Sequence, residues 1–294
     1  MDENEWLAGR FEEHRDHLRA VAYRMLGSLT DADDAVQDTW LRVSRAGASE
    51  VENLGGWLTA VVARVCLNML RSRSVRREDS FGVHLPDPVV TSERGPHPEA
   101  EALLADSVGL ALLVVLDTLA PAERLAFVLH DMFKLSFEEI APLVGRTPGA
   151  ARQLASRARR RVKGAELPAP DPDLARQRAV VNAFFLAARG GDFEALIRLL
   201  HPDVVLRSDF GDRRPAASRV IRGPAAVARQ ARAIPGAVVI PAMVNGAAGV
   251  VITVGGRPFA VMGFTITGGR IVEIDAIADP DRVRRIAAAV LSEE

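Results

Sequence analysis

The sequence predicts two α-helical domains followed by a domain of mixed α and β structure. Apolar residues recur at helical spacing over 5–73 and again over 103–163, whereas short apolar runs typical of strands dominate from residue 238 onward. Two proline-rich stretches interrupt these patterns, as expected of linkers. A chain of 294 residues is long enough for two or three domains of about 100–200 residues each. We expect three domains, at 1–75, 103–165 and 174–294. Linkers at 76–102 and 166–173 separate them.

The first domain is predicted to consist of the helices Trp6–Leu26, Asp31–Val43 and Trp57–Leu70. In the middle helix, small and apolar side chains share one face and acidic side chains occupy the rest. An apolar anchor with charges around it is suited to binding a basic protein partner. Trp40 lies on the apolar face, so the sequence leaves open whether it belongs to the core or to the binding surface.

The second domain is predicted to contain helices over Leu103–Leu119 and Pro121–Met132, followed by a helix-turn-helix over Leu135–Lys163. Its capping residues are Ser136 with Glu139, Gly145, and Thr147 with Pro148. The stretch from Arg146 to Lys163 is rich in arginine and contains no acidic residue. A capped helix pair whose second helix is basic is typical of proteins that read the major groove of DNA. The alternative is a solvated basic helix without a nucleic-acid partner.

The C-terminal domain is predicted to be α+β with a curved antiparallel sheet. Two helices precede the segment His201–Ser208, and another helix lies near Pro224–Ile234. The glycine pair Gly268-Gly269 is a hairpin signal between the last two strands. The remaining predicted elements are the helices Leu174–Arg189, Asp192–Leu200 and Asp281–Leu291 and the strands Val238–Val244, Gly249–Val254, Phe259–Thr267 and Arg270–Ala276.

Composition excludes several other classes of protein. Cys66 is the only cysteine, which rules out an internal disulfide and a zinc finger, and the scattered histidines do not have the spacing of metal ligands. The charged N-terminus does not resemble a signal peptide. Pro241, Asn245 and several glycines interrupt the apolar stretch 237–256, which favours strands over a membrane span. We therefore expect a cytoplasmic protein with no membrane partner, no metal and no cofactor.

The order of these parts resembles the extracytoplasmic-function group of bacterial sigma factors. Residues 5–75, with the helix DADDAVQDTWLRV, are similar to sigma region 2, and residues 103–163 are similar to region 4. The rest resembles SnoaL-like domains of the nuclear transport factor 2 fold. Leu85-Pro86-Asp87-Pro88 is similar to a WLPEP motif, and Asp279-Pro280-Asp281-Arg282-Val283 to an NPDKL motif, of a subgroup with this C-terminal extension. The chain departs from that pattern at His84 and at the loop 209–213.

This resemblance implies roles for specific residues. Core RNA polymerase, through its β′ clamp helices and β flap, and promoter DNA are the implied partners. The implied polymerase-binding residues are Asp31, Asp34, Gln37, Asp38 and Trp40. Arg64, Asn68 and Arg71 are assigned to the downstream element and melted strand, and Arg152, Gln153, Ser156 and Arg157 to the upstream element. The implied regulatory contacts in cis are Leu85, Pro86, Asp87, Pro88, Asp209, Gly211, Asp279, Pro280 and Asp281.

The leading hypothesis is a sigma factor that directs initiation at a stress-type promoter and is modulated in cis by its C-terminal domain. A conventional helix-turn-helix regulator with a ligand-sensing domain is the alternative, but it leaves the acidic helix unexplained. A third hypothesis is a SnoaL-like enzyme, for which His201, Asp203, Asp209 and Asp275 are candidate acid–base residues. We expect no catalytic residue, and the resemblance allows a small hydrophobic ligand in the C-terminal pocket.

Overall fold

The computed structural model describes residues 3–46, 51–77, 83–93, 109–165, 169–211 and 213–291. These residues form two compact units. The first unit contains the described residues of 3–77 and 112–165. The second unit contains 83–93, 109–111, 169–211 and 213–291, so the described part of the first predicted linker belongs with the C-terminal domain.

The N-terminal part of the first unit is a bundle of long helices. Their bounds are α1 (Glu3–Leu26), α2 (Leu29–Ala46) and α3 (Leu54–Arg77). Leu18, Val21 and Leu58 are buried between them, together with the small apolar face of α2. Burial of these apolar side chains is the main stabilisation of such a bundle. The three predicted helices are confirmed, and each extends several residues further than the periodic pattern indicates.

The remainder of the first unit is also helical. It consists of α4 (Leu110–Asp117, of which residues from 112 onward belong to this unit), α5 (Pro121–Phe127), a π-helical turn (Val128–Met132), α6 (Phe137–Val144) and α7 (Pro148–Gly164). The predicted start at Leu103 lies outside the described residues. Arg124 joins the two helical parts of the unit, because it pairs with Asp117 at 3.0 Å and donates a hydrogen bond to the carbonyl oxygen of Arg24 at 3.3 Å.

The helix-turn-helix forms as its capping residues predict. The side chain of Ser136 accepts from the Glu139 amide at 3.3 Å, and the Glu139 carboxylate accepts from the Ser136 amide at 2.8 Å. Gly145 ends α6 in the left-handed conformation, with φ of 65°. The hydroxyl of Thr147 caps α7 by accepting from the amide of Ala150. Together these caps fix where α6 ends and α7 begins.

The second unit is built on a mixed sheet with the strand order β1-β4-β5-β6-β7-β2-β3. Its strands are β1 (Val90–Ser92), β2 (Leu200–Asp209), β3 (Arg219–Arg222), β4 (Ala237–Val244), β5 (Ala247–Val254), β6 (Arg257–Thr267) and β7 (Arg270–Ile277). Neighbouring strands are antiparallel except for β2 and β7, which are parallel. Register shifts in β2, β5 and β6 mark bulges, which bend strands and so curve the sheet.

Three helices, α8 (Leu174–Gly190), α9 (Phe193–Leu199) and α10 (Pro224–Gln230), pack with one face of the sheet. The closing helices of the unit are α11 (Pro280–Ile286) and α12 (Ala288–Leu291). Phe184, Val227 and Phe264 belong to the apolar core between the sheet and helices α8, α9 and α10. The predicted α+β class and curved sheet are confirmed. The described strands pair in antiparallel fashion as predicted, apart from β2 and β7, which pair in parallel.

Candidate functional site

The acidic face of α2 is solvated and held by local ion pairs. Asp34 and Gln37 are exposed, and Asp38 pairs with Arg42 at 2.9 Å one turn later. Asp31 pairs with Arg73 on α3. A surface of this kind presents negative charge in a fixed orientation, and such charge steers and orients a positively charged partner.

Trp40 contributes to both the core and the surface. Its indole is half-buried and lies 5.2 Å from the ring of Phe11, measured between ring centroids. This tilted contact fixes the ring orientation while leaving part of the indole accessible. In this one position Trp40 can therefore both pack in the core and contact a partner.

A second surface runs along α3. Arg64, Asn68 and Arg71 are all exposed, and their spacing of four and three residues places them on one side of the helix. The buried residues Val62 and Cys66 occupy the opposite side. The predicted grouping of these three polar side chains on one face is thus present in the structure.

The basic helix α7 presents its arginines in two different ways. Arg152 and Gln153 are exposed, and the Arg152 guanidinium lies 5.3 Å from the centroid of the Phe137 ring on α6. In contrast, Arg157 donates from Nε to the largely buried carboxylate of Glu123 at 2.7 Å. Ser156 lies between them and is half-buried. The partner Glu123 was missed by sequence reasoning, since it lies 34 residues away and no local pattern marks it.

A cluster of buried polar groups joins the described part of the first linker to the C-terminal domain. Arg282 donates to the carboxylate of Asp87 at 2.6 Å, to that of Asp209 at 2.5 Å, and to the carbonyl oxygen of Leu85. Asp209 in turn accepts from the amide of Leu85 at 2.8 Å. We call Leu85, Asp87, Asp209 and Arg282 the linker clamp.

Burial strengthens the linker clamp. Asp209 is only 1% exposed, and Pro86 and Pro88 are buried beside it. Burial by itself lowers the pKa of Arg282, but the charges of Asp87 and Asp209 outweigh it and raise that pKa. Arg282 therefore remains cationic, as buried carboxylates require of a partner. The position of Arg282 in the DPDRV segment could have identified it as a site residue. Sequence reasoning selected only its neighbours in that segment.

The other predicted regulatory residues support the linker clamp indirectly. Asp279 caps α11 by accepting from the amides of Asp281 and Arg282 at 3.0 and 2.8 Å, which positions the Arg282 backbone, and Pro280 is the first residue of this helix. Gly211 has φ of 74°, and a Cβ there would collide with the Asp279 carboxylate. Asp281 instead pairs with Arg213 at 3.1 Å and with Arg284.

The linker also extends the sheet. β1 pairs with β4 in antiparallel register, from Val90 opposite Val244 to Ser92 opposite Ala242. Just before it, the Val89 amide donates to the Asn245 side chain at 2.6 Å, and the Asn245 amide donates to the Val89 carbonyl oxygen at 2.8 Å. The described linker residues are thus anchored by both side chains and backbone.

An apolar cavity of about 770 Å³ lies between the concave face of the sheet and helices α8 and α10. Phe184, Leu206, Ile252, Met262 and Ile274 contribute to its wall. The described residues that line it include no aspartate, glutamate or histidine. A cavity of this kind can bind an apolar molecule, but its described lining offers no carboxylate or imidazole for general acid–base chemistry.

The four acid–base candidates lie elsewhere. His201 and Asp203 are side by side near the start of β2, and the Asp203 side chain is almost fully exposed. Asp209 belongs to the linker clamp. Strand alternation places Asp275 on the face opposite the cavity, where it accepts from Arg207 at 3.0 Å beside Glu273. Burial raises the pKa of Asp275 to about 6, against the opposing effect of Arg207.

Two features are absent from the residues that the structure describes. No group of three or more His, Cys, Asp or Glu side chains among them could hold a metal ion. No helix among them is long and apolar enough to cross a membrane.

Comparison with known proteins identifies the two helical parts. Residues 10–76 match the family model for sigma-70 region 2, and residues 109–162 match that for sigma-70 region 4. The helical unit is therefore that of a sigma-70-type transcription initiation factor. The chain is 43% identical over 220 residues to the ECF RNA polymerase sigma factor SigJ of Mycobacterium tuberculosis, covering 74% of this chain and 70% of the relative.

Two further likenesses extend over almost the whole chain. The probable ECF RNA polymerase sigma factor SigI of Mycobacterium tuberculosis is 33% identical over 293 residues, 98% of both chains. The crystal structure of Mycobacterium tuberculosis SigJ aligns with a TM-score of 0.72 and 34% identity, covering 94% of this chain and 97% of that one. The chain belongs to the extracytoplasmic-function family of RNA polymerase sigma factors. The predicted membership of this family is confirmed, and the conventional regulator is not favoured.

Proposed function

We propose that this sigma factor directs initiation at a stress-type promoter and that its C-terminal domain modulates it in cis by holding the linker between regions 2 and 4. Its site of action is the cytoplasm, where RNA polymerase meets DNA. In this proposal residues 1–75 act as region 2, 76–102 as the linker, 103–165 as region 4, 166–173 as a second linker and 174–294 as the regulatory domain.

In this proposal the exposed surfaces have separate partners. The face of α2 with Asp31, Asp34, Gln37, Asp38 and Trp40 binds the β′ clamp helices of the polymerase, and region 4 contacts the β flap. The face of α3 with Arg64, Asn68 and Arg71 contacts the melted downstream element, where cationic and polar groups suit an exposed single strand. On α7, Arg152 and Gln153 read bases of the upstream element. The Arg157–Glu123 pair favours a phosphate contact for Arg157, and Ser156 lies beside it.

The linker clamp is the observation that carries the proposal of regulation in cis. Residues 83–93 lie between the two DNA-binding regions in the chain and are held on the C-terminal domain by Arg282 and β1. Eleven residues released from such a site could extend by roughly 36–40 Å. Holding or releasing this segment therefore changes the distance that regions 2 and 4 can span. That distance must match the separation of the two promoter elements that they bind.

The C-terminal domain is proposed to bind and not to convert a small molecule. The apolar lining of its cavity supports this, as does the position of Asp275 on the opposite face of the sheet. Binding of a ligand in the cavity would bias the linker clamp through α11 and β2, which carry Arg282 and Asp209.

In vitro transcription with core polymerase tests both parts of the proposal. The full-length chain should initiate from its own promoter, and Arg282→Gln should change the yield severalfold, because Asp87 and Asp209 lose their buried partner. Arg284→Gln, on the same helix but exposed, is the matched control and should leave the yield unchanged. Failure of every form to initiate from any promoter tested would contradict promoter recognition. Equal yields from wild type and Arg282→Gln would contradict regulation through the linker clamp but not promoter recognition.

A further inference from the structure

The cavity of the C-terminal domain has an apolar interior and a cationic rim. Arg189 and Arg232 are exposed and line its opening, together with Gln230. A shallower cleft adjoins it, shares Arg189 and Arg232, and adds Arg229. Among the described residues that line either space there is no acidic side chain. We propose that this cavity binds an anionic amphiphile, with its hydrocarbon chain inside and its carboxylate or similar head group at the arginines.

The interior is suited to a hydrocarbon chain. Its volume of about 770 Å³ falls within the roughly 300–1,000 Å³ typical of small-ligand sites. Phe184, Leu206 and Ile274 are buried core residues on its wall, and Met262 adds a side chain that adapts to irregular shapes. Such a lining offers little to a polar molecule, whose hydrogen-bonding groups would lose water without replacement.

The rim supplies the specificity for charge. The backbone carbonyl of Arg229 accepts a hydrogen bond from Nε of Arg232 at 3.3 Å, which fixes the direction of that guanidinium without neutralising it. Arg189 lies in the last turn of α8 and also lines the cavity. Two guanidinium groups at the mouth of an apolar cavity attract an anion and repel a cation of the same length.

The exposed apolar side chains at the opening point to the same class of ligand. Ile234 and Val238 line the cavity yet are 38% and 57% exposed. A bound chain would remove their surfaces from water, which is favourable in proportion to the apolar area covered. The bound chain would therefore fill the cavity and cover its rim.

This inference deepens the proposed function, because it names the chemical class that the regulatory domain would sense. Only the regulatory consequence depends on the linker clamp. Ligand binding can be measured without polymerase or promoter, so its failure is distinguishable from failure of regulation in cis.

Calorimetric titration of the full-length chain with ten-carbon probes tests the proposal. Decanoate should bind about tenfold more tightly than decan-1-ol, and decylammonium should bind more weakly still. Octanoate should bind about fifteenfold more weakly than decanoate, because each buried CH₂ contributes roughly a factor of four.

Variants locate the site and its charge preference. Combined Arg189→Gln and Arg232→Gln changes should weaken decanoate binding about tenfold while leaving decan-1-ol unchanged. Arg198→Gln, which removes an exposed arginine of α9 outside the lining, is the matched control and should change neither. Ala188→Phe should block all probes by filling the cavity. Equal affinity for the three head groups, no binding of any probe, or insensitivity to the double variant would overturn the proposal.

Discussion

Buried charges mark the two residue-scale features that distinguish the C-terminal domain. Arg282 with Asp87 and Asp209 joins segments 195 and 73 residues apart in sequence, and Arg207 with Glu273 and Asp275 joins β2 to β7. Burying an ion pair costs desolvation energy, which offsets most of the attraction between the charges. Removing one partner leaves the other charge buried and uncompensated. The two clusters therefore hold the positions of their segments strongly while adding little net stability.

Asp275→Asn should change the pH dependence of stability. The pKa of Asp275 is raised to about 6 in the folded protein from an ordinary value of 3.8, so the folded state binds the extra proton between these values. The wild type should therefore gain stability relative to Asp275→Asn as pH falls from 6 to 4, by on the order of 1–3 kcal/mol. Above pH 6 the difference should be constant.

Hydrogen exchange of peptides covering β7 measures this difference, with both proteins compared at the same pH so that intrinsic rates cancel. Tryptophan fluorescence is unsuitable, because Trp6, Trp40 and Trp57 all lie in the first unit. A difference between the two proteins that does not vary with pH would contradict the proposed titration.

At this scale the sequence predicted unusual residues better than their partners. Asp275 stood out as an acidic residue in an otherwise apolar strand, and Asp87 and Asp209 through the resemblance of their segments to family motifs. Their arginine partners were not predicted, since arginine is common on protein surfaces and the contacts span long separations. Pairing of this kind depends on tertiary structure.

At the scale of elements, the helix-turn-helix was predictable in detail because its signals are local. Ser136, Gly145 and Thr147 perform the capping roles that their residue types and spacing indicate. The strands β1 and β3 were not predicted: β1 is three residues long in a proline-rich segment, and β3 contains two arginines. Both lie at the edges of the sheet, where local sequence preference is weak and pairing decides the conformation.

Arg152→Ala should relax promoter selectivity. The guanidinium lies over Phe137 and is exposed on α7, a position from which it can contact a base edge. We expect a loss of roughly 1–3 kcal/mol on the cognate upstream element and a smaller loss on altered elements. Binding of reconstituted holoenzyme to a panel of promoter variants measures it. Arg160→Ala, exposed on the same helix, is the control for a phosphate contact, and the same uniform loss in both variants would contradict base reading by Arg152.

At the scale of the whole molecule, the described residues 83–93 of the first linker are a structural part of the C-terminal domain. The local sequence pattern of 76–102 shows only proline and charge, yet residues 83–93 are held by the linker clamp, Asn245 and β4. Sequence therefore predicted the order of domains and, through the family resemblance, a contact between this linker and the C-terminal domain. It did not predict Arg282 as the residue that joins them.

Arg282→Gln should loosen this segment in the full-length chain. Removing one partner of a buried ion pair costs roughly 3–5 kcal/mol, so the amides of Leu85 and Val89 should exchange faster by a large factor. Hydrogen exchange resolved by mass spectrometry measures peptides covering 83–93, with peptides from α1–α3 as an internal reference. Arg284→Gln should exchange like wild type. Unchanged protection in Arg282→Gln would mean that strand pairing alone holds the linker.

The pairing of β1 with β4 has a consequence for the released protein. When β1 leaves, β4 becomes an edge strand with unpaired backbone groups, and the apolar surface beneath Leu85 and Val90 meets water. Exposed edges of this kind recruit other strands and promote aggregation. Release of β1 would therefore make the protein prone to aggregation through β4, unless another chain occupies the vacated strand position.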